Sequence, residues 1–140
     1  MLKTTKTPIN VSAYTYLIIM PYWLLSGSPE NWEVVLEKKV WGVSEKAKGL
    51  WNKVQLGDIV VFYATRKTGI LGYGVVIDKY VDETPLWPEE KKAGKALWPY
   101  RIKIQIKKLY SQPKPKPKNQ PAAFAINKMD EETFREIIGE

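Results

Sequence analysis

The 140-residue sequence contains no cysteine and no histidine. Without cysteine there is no disulfide framework, no thiolate metal site and no thiol nucleophile. Without histidine as well, the usual zinc sites and the histidine-based catalytic triads are excluded. No metal and no cofactor is expected, and much of enzyme chemistry is closed off. Long apolar runs are missing too. The most apolar stretch, residues 11–25, is interrupted by Ser12, Tyr14, Thr15, Tyr16 and Pro21. It is too short and too polar to span a bilayer, and it makes a poor secretory signal. The chain reads as cytoplasmic, with no membrane partner. Acids are absent from one whole segment: between positions 101 and 118 stand Arg101, Lys103, Lys107, Lys108, Lys114, Lys116 and Lys118 with no Asp or Glu, so the entire net charge of +7 resides there. A localised excess of this kind points to a polyanionic partner. Its lysine dominance suits phosphate attraction better than base-edge readout, for which arginine is the commoner tool.

What is present is one domain's length of patterned chain. Residues 22–43, YWLLSGSPENWEVVLEKKVWGV, organise it. Apolar Leu24 and Leu25 run into Ser26, Gly27, Ser28 and Pro29, which stop a strand. Ser28 caps a helix whose first residue is Pro29, with Glu30 adding negative charge to the first turn. Trp32, Val35, Leu36 and Val40 recur on one face of that helix, which packs against a sheet. Trp41 falls where the helix has run out, with Gly42 behind it to permit a backbone turn. An indole in that place serves either as core or as a surface on which something flat stacks.

Further along, Ser44 opens a short helical piece running to Val54, and Ile59 to Tyr63 form an uninterrupted apolar strand, buried on both faces. Arg66, Lys67, Thr68 and Gly69 make a basic hairpin-like loop. Residues 70–80 return as a strand in which Gly72 and Gly74 mark a bulge or a close backbone approach. Residues 81–99 are polar and irregular and hold Trp87 and Trp98, bulky residues for a loop. Residues 100–109 alternate, with Ile102, Ile104 and Ile106 on one side and Arg101, Lys103, Gln105 and Lys107 on the other, as a half-exposed strand with a basic outer face does. Residues 111–120, SQPKPKPKNQ, form an extended, polyproline-like connector. Asp130 caps a last helix, 131–138, with Met129 stapled onto Phe134. Four or five strands with two or three short helices describe an α+β sheet curling into a small barrel.

The segments YWLLSGSPENWEVV, VWGV, LGDIVVFYAT, GYGVVIDKYVDETPLW and PYRIKI, in register over residues 21–107, resemble the EVE domain, a member of the PUA-like superfamily related to the YTH domain. The resemblance implies a domain over residues 20–140, preceded by an N-terminal extension, 1–19, with Met20 a candidate start. It implies a small, strongly curved mixed barrel flanked by short helices, and a nucleic-acid-binding module, for RNA or DNA, that holds a methylated base in an aromatic pocket. By position Trp41 and Trp87 match the cage tryptophans. Ser26, Gly27, Ser28 and Asn31 match the turn entering the helix, and backbone near Gly42 adds to base discrimination. Arg101, Lys103 and Lys107 of the basic strand, with Arg66 and Lys67, would supply the phosphate contacts. Gly27 stands where the YTH relatives carry an amide side chain, and residues 111–128 replace a further basic and aromatic segment. Catalysis is not expected. The enzyme alternative, an ASCH-type amidohydrolase, would need a lysine facing a carboxylate, and the pairs Lys53 with Asp58 and Lys79 with Asp82 read as solvated turns. A third class is a protein-interaction module using the proline-lysine connector.

Overall fold

A computed structural model describes residues 21–139; the extension and the Met20 start lie outside the described residues. The first strand, β1 (Tyr22–Gly27), lies inside a six-stranded sheet. It pairs in parallel with β3 (Ile59–Ala64) and antiparallel with β6 (Ile126–Met129). Its side chains are buried on both faces: Trp23 and Leu25 point into the main core, Leu24 into a second cluster. That is why it reads as a continuous apolar run rather than an alternating one.

The parallel crossover begins with α1 (Pro29–Lys38), whose Ser28 hydroxyl accepts the Asn31 N–H at 3.2 Å. Trp32 and Val35 form its buried face, and the Trp32 indole N–H reaches the Tyr63 carbonyl at 2.8 Å. The helix ends two residues earlier than its apolar spacing suggests. Lys39, with φ 61°, is the left-handed cap, and Val40, Trp41 and Gly42 belong to a short strand, β2 (Val40–Val43), paired antiparallel with β5 (Tyr100–Lys114). Gly42 is therefore not a helix terminator; it is needed for close approach, as described below. A 3₁₀ turn (Glu45–Ala47) and α2 (Lys48–Lys53) lead on to β3.

Strand β4 (Gly69–Val81) returns from β3 and pairs along β5, with three register shifts. At Gly72 a Cβ would lie 2.0 Å from the Lys108 carbonyl oxygen, so only glycine admits this bend, and the bulges curl the sheet. Among the described residues the strand order is β2-β5-β4-β3-β1-β6, with β2 and β6 at the edges. The fold is α+β and PUA-like, a curled half-barrel rather than a closed barrel. On its outer face α4 (Glu131–Ile138) packs Phe134 and Ile137 against Leu24, Val61 and Ile70, and Asp130 accepts the Thr133 N–H at 2.7 Å.

Two further expectations need correction. The segment 81–99 contains a helix, α3 (Pro88–Ala93), closed by Gly94 at φ 74°. The connector is not a free polyproline arm: β5 continues to Lys114, and beyond it Pro117 and Gln120 are buried while Lys116 Nζ donates to their carbonyls at 3.0 and 2.7 Å. Prolines at every second position put all their missing amides on one strand edge, so the other edge still pairs.

Candidate functional site

The half-barrel has a seam where its two edges approach each other. A cavity of about 90 Å³ lies there, lined by Ser26, Gly27 and Asn31 at the end of β1 and start of α1, Trp41 and Gly42 of β2, Trp87 and Trp98 flanking α3, and Ala125 just before β6. Two glycines set its walls. A Cβ on Gly27 would stand 2.7 Å from Trp41 Cη2, and one on Gly42 would stand 2.6 Å from the Trp98 carbonyl oxygen and 2.9 Å from Trp87 Cη2. Both indoles touch bare backbone at distances no side chain tolerates.

The indoles themselves are nearly enclosed: Trp41 is 4 % exposed and Trp87 2 %. Each has one face covered. Trp41 stacks on Trp32 at 4.7 Å and 24°, and the Arg101 guanidinium lies over the Trp87 ring at 5.2 Å. A ligand in the cavity meets at most one face of each. Trp23, Trp32 and Trp51 all donate their indole N–H to a defined acceptor. Trp41 and Trp87 do not. Among the described residues three buried side-chain polar atoms lack a hydrogen-bond partner: Trp41 Nε1 and Trp87 Nε1, which belong to two residues that line this cavity, and Tyr110 Oη. An orphaned buried donor costs about 1–3 kcal/mol, and native structures retain few of them.

Trp87 and Trp98 are held by a carboxylate that the sequence pattern did not single out. Glu90, fully buried, accepts the N–H groups of Leu86 at 2.7 Å and Trp87 at 3.2 Å through Oε1, and those of Leu97 and Trp98, both at 2.9 Å, through Oε2. Arg101 closes the arrangement. Its Nη2 lies 3.4 Å from Glu90 Oε1 and donates to the Thr84 carbonyl at 2.8 Å, while Nε donates to the Trp98 carbonyl at 3.0 Å. Its Nη1 also stands 3.7 Å from Asp82, whose carboxyl is held below the usual range by hydrogen bonds from Thr84 first, with Arg101 adding less.

Arg101 is thus not the phosphate contact expected of it. It is 2 % exposed, because the face of β5 that alternation assigns to solvent is roofed by the segment from Thr84 to Trp98. Lys103 and Lys107 are exposed on the same strand. Arg66 pairs with Glu30, and Lys67 lines an open groove with Tyr63, Thr68, Pro113, Lys114 and Lys116. Ser28 does not line the cavity; its hydroxyl serves the α1 cap. Trp98 and Ala125 line it without having been expected to. Their signals were a loop tryptophan before Pro99 and a position only the seam explains.

Lys53 is exposed as expected, but one member of each lysine-carboxylate pair, Asp58 and Lys79, is not a solvated side chain. Asp58 is buried and accepts from Trp23 Nε1 and the Gln55 N–H, both at 2.9 Å. Lys79 is half-buried, 4.4 Å over the Trp51 ring, with Nζ donating to the Val54 carbonyl at 2.7 Å; burial pushes its pKa down. Both are engaged in holding α2 and its following turn to the sheet. Among the described residues no cluster of acids could hold a metal ion, and no helix is long and apolar enough to cross a membrane.

The site is thus a tryptophan-lined cavity at the seam of a curled α+β sheet. The EVE domain family matches residues 21–136, and the chain belongs to that family. It is 36 % identical over 96 residues to the UPF0310 protein PH1033 of Pyrococcus horikoshii, covering 61 % of this chain and 66 % of that protein. It is 33 % identical over 118 residues to the UPF0310 protein PYRAB08750 of Pyrococcus abyssi, covering 78 % of this chain and 81 % of that one. Among solved structures, an ASCH protein from Zymomonas mobilis matches with a TM-score of 0.63 at 10 % identity, over 86 % of this chain and 96 % of that one. Protein PSPTO5229 from Pseudomonas syringae matches with a TM-score of 0.60 at 18 % identity, over 84 % and 97 %. At those identities the likeness speaks for the fold alone.

Proposed function

We propose that this chain is a nucleic-acid-binding module that takes one modified base, flipped from its strand, into the seam cavity. The observation that carries the proposal is that two tryptophans lining a single cavity both keep a buried indole N–H without a partner. These N–H groups are satisfied by a flat ligand with acceptor atoms on its edge, and a nucleobase is such a ligand. Asn31 and Ser26 supply the remaining polar partners, and Lys103, Lys107 and Lys67 supply phosphate contacts that position a strand without reading it. Such a module works in the cytoplasm, on RNA or DNA.

The energetics assign the roles. Base-aromatic stacking contributes about 1–3 kcal/mol per base. A buried methyl group adds about 0.8 kcal/mol, a few-fold preference. Discrimination beyond that comes from donors left unpaired when the wrong edge enters. A cavity of about 150 Å³ encloses a benzene ring. The seam cavity, smaller at about 90 Å³, admits the leading edge of a base, and full entry needs the half-buried Trp98 to move outward.

The test is a panel of short oligonucleotides carrying methylated or hydroxymethylated adenine, cytosine or uracil, with unmodified controls, bound to the wild type and to Trp41→Phe and Trp87→Phe. Phenylalanine keeps an aromatic wall and removes the N–H. One modified member should bind best, and each variant should lose roughly tenfold for it, the worth of one hydrogen bond. Equal affinity of both variants and wild type, or no binding to any member, would sink the proposal.

A further inference from the structure

Phe124 has no place in the pocket just described, and its setting is unusual. It is 65 % exposed, more than Leu56, Ile77, Val81 or Leu109, the other exposed large apolar residues among those described. Exposure on a slack loop would mean little, but this loop is anchored. The buried Asn127 side chain accepts the Phe124 N–H at 3.1 Å and donates to the Phe124 carbonyl at 2.7 Å, and it also donates to the Leu24 carbonyl of β1 at 3.2 Å. The next residue, Ala125, accepts the Ser26 N–H at 3.1 Å and lines the cavity. A rigid mount therefore holds an aromatic ring out of the core, one residue from the cavity, with consecutive Cα atoms about 3.8 Å apart.

We infer that Phe124 is a stacking wedge for the nucleotide next to the flipped one. The inference rests on the base-pocket reading and extends it from one base to two. Turning a base out of a strand exposes a face of its neighbour, and an aromatic or apolar side chain that covers that face offsets the lost stacking. Phe124 is placed for this role by its continuity with the cavity. The surrounding charge favours a nucleic-acid strand: from Arg101 to Met129 the sequence contains no acid, and Lys118 and Lys128, on either side of the Phe124 loop, are exposed.

The experiment compares wild type, Phe124→Ala and Phe124→Tyr on three probes: the best-binding oligonucleotide of the panel, the corresponding free modified nucleoside, and the same oligonucleotide with abasic sites on both sides of the modified base. Phe124→Ala should bind the intact oligonucleotide roughly tenfold more weakly, within the range of one base-aromatic stack, and Phe124→Tyr should match wild type. All three proteins should bind the free nucleoside alike, and all three should bind the abasic-flanked strand alike. The wedge is overturned if Phe124→Ala binds the intact strand as tightly as wild type, if its loss persists with abasic flanks, or if nucleoside binding falls in parallel. Wild type binding neither nucleoside nor strand overturns the pocket reading, and the wedge with it. Wild type binding both, with no effect of Phe124→Ala, overturns the wedge alone.

Discussion

Replacing Glu90 by glutamine tests how the two α3-flanking tryptophans are held. The carboxylate accepts four backbone N–H groups, two on each oxygen, and faces Arg101. Glutamine keeps one accepting oxygen. The amide that replaces the other points hydrogens at two N–H groups, leaving both unpaired at about 1–3 kcal/mol each. Removing one partner of a buried ion pair costs about 3–5 kcal/mol. Arg101 keeps the carbonyls of Thr84 and Trp98 and a distant Asp82, so the lower end of that range applies. The sum is on the order of 5 kcal/mol. With an unfolding entropy near 2.1 cal/mol/K per residue, a chain of 140 residues shifts by about 3 °C per kcal/mol, so Glu90→Gln should melt roughly 15 °C below wild type. Arg101→Met, made alone and in combination, completes a double-mutant cycle followed by circular dichroism. The combined variant should recover a large part of the ion-pair share, because no charge is then stranded. A melting temperature within about 3 °C of wild type for Glu90→Gln, or strict additivity in the cycle, would refute the reasoning.

Three further outcomes follow from the same geometry. Gly42→Ala drives a methyl group into the Trp98 carbonyl and the Trp87 ring, at 2.6 and 2.9 Å. It should cost about 1–3 kcal/mol by overpacking and abolish oligonucleotide binding, whereas Gly49→Ala, which meets nothing within 4 Å on α2, should melt at or above the wild-type temperature. Asp130 has its pKa lowered by hydrogen bonds from Thr133. Its cap is therefore fully effective above the unfolded carboxyl value of about 3.9 and is lost as pH falls through the lower folded value. Asp130→Ala should cost about 1 kcal/mol at neutral pH, with the gap to wild type closing in thermal melts below about pH 4. Oligonucleotide affinity should fall steeply with salt, while preference for the modified base should not; Lys103→Ala with Lys107→Ala should flatten the slope, measured by fluorescence anisotropy across a salt series.

The local signals in the sequence were sound where one segment decides its own conformation. Ser28 and Pro29 start α1, Asp130 starts α4, and Gly72 marks the bend in β4 as the spacing suggests. Trp41, Trp87, Ser26, Gly27, Asn31 and Gly42, which the resemblance matched to the family's pocket, all line one cavity. What was not legible depends on segments far apart in the chain. Val40 continues the helical apolar spacing and is nonetheless strand, because β5 offers it a ladder. Arg101 alternates like a surface residue and is buried, because a roof from positions 84–98 covers it. The Pro88, Glu90 and Gly94 pattern carried a start, a cap and a stop for α3. Charge and proline in the same stretch made it look like loop.

The unjoined edges of the sheet have a mechanical consequence. A closed cylinder holds its shape by its own ladder, but here the gap between β2 and β6 is lined by two tryptophans that flank α3 and by an asparagine-pinned loop. Whatever slips between them acts as the absent stave. A ligand held there would bridge two strand edges far apart in the chain, so rigidity of the hoop should rise with occupancy.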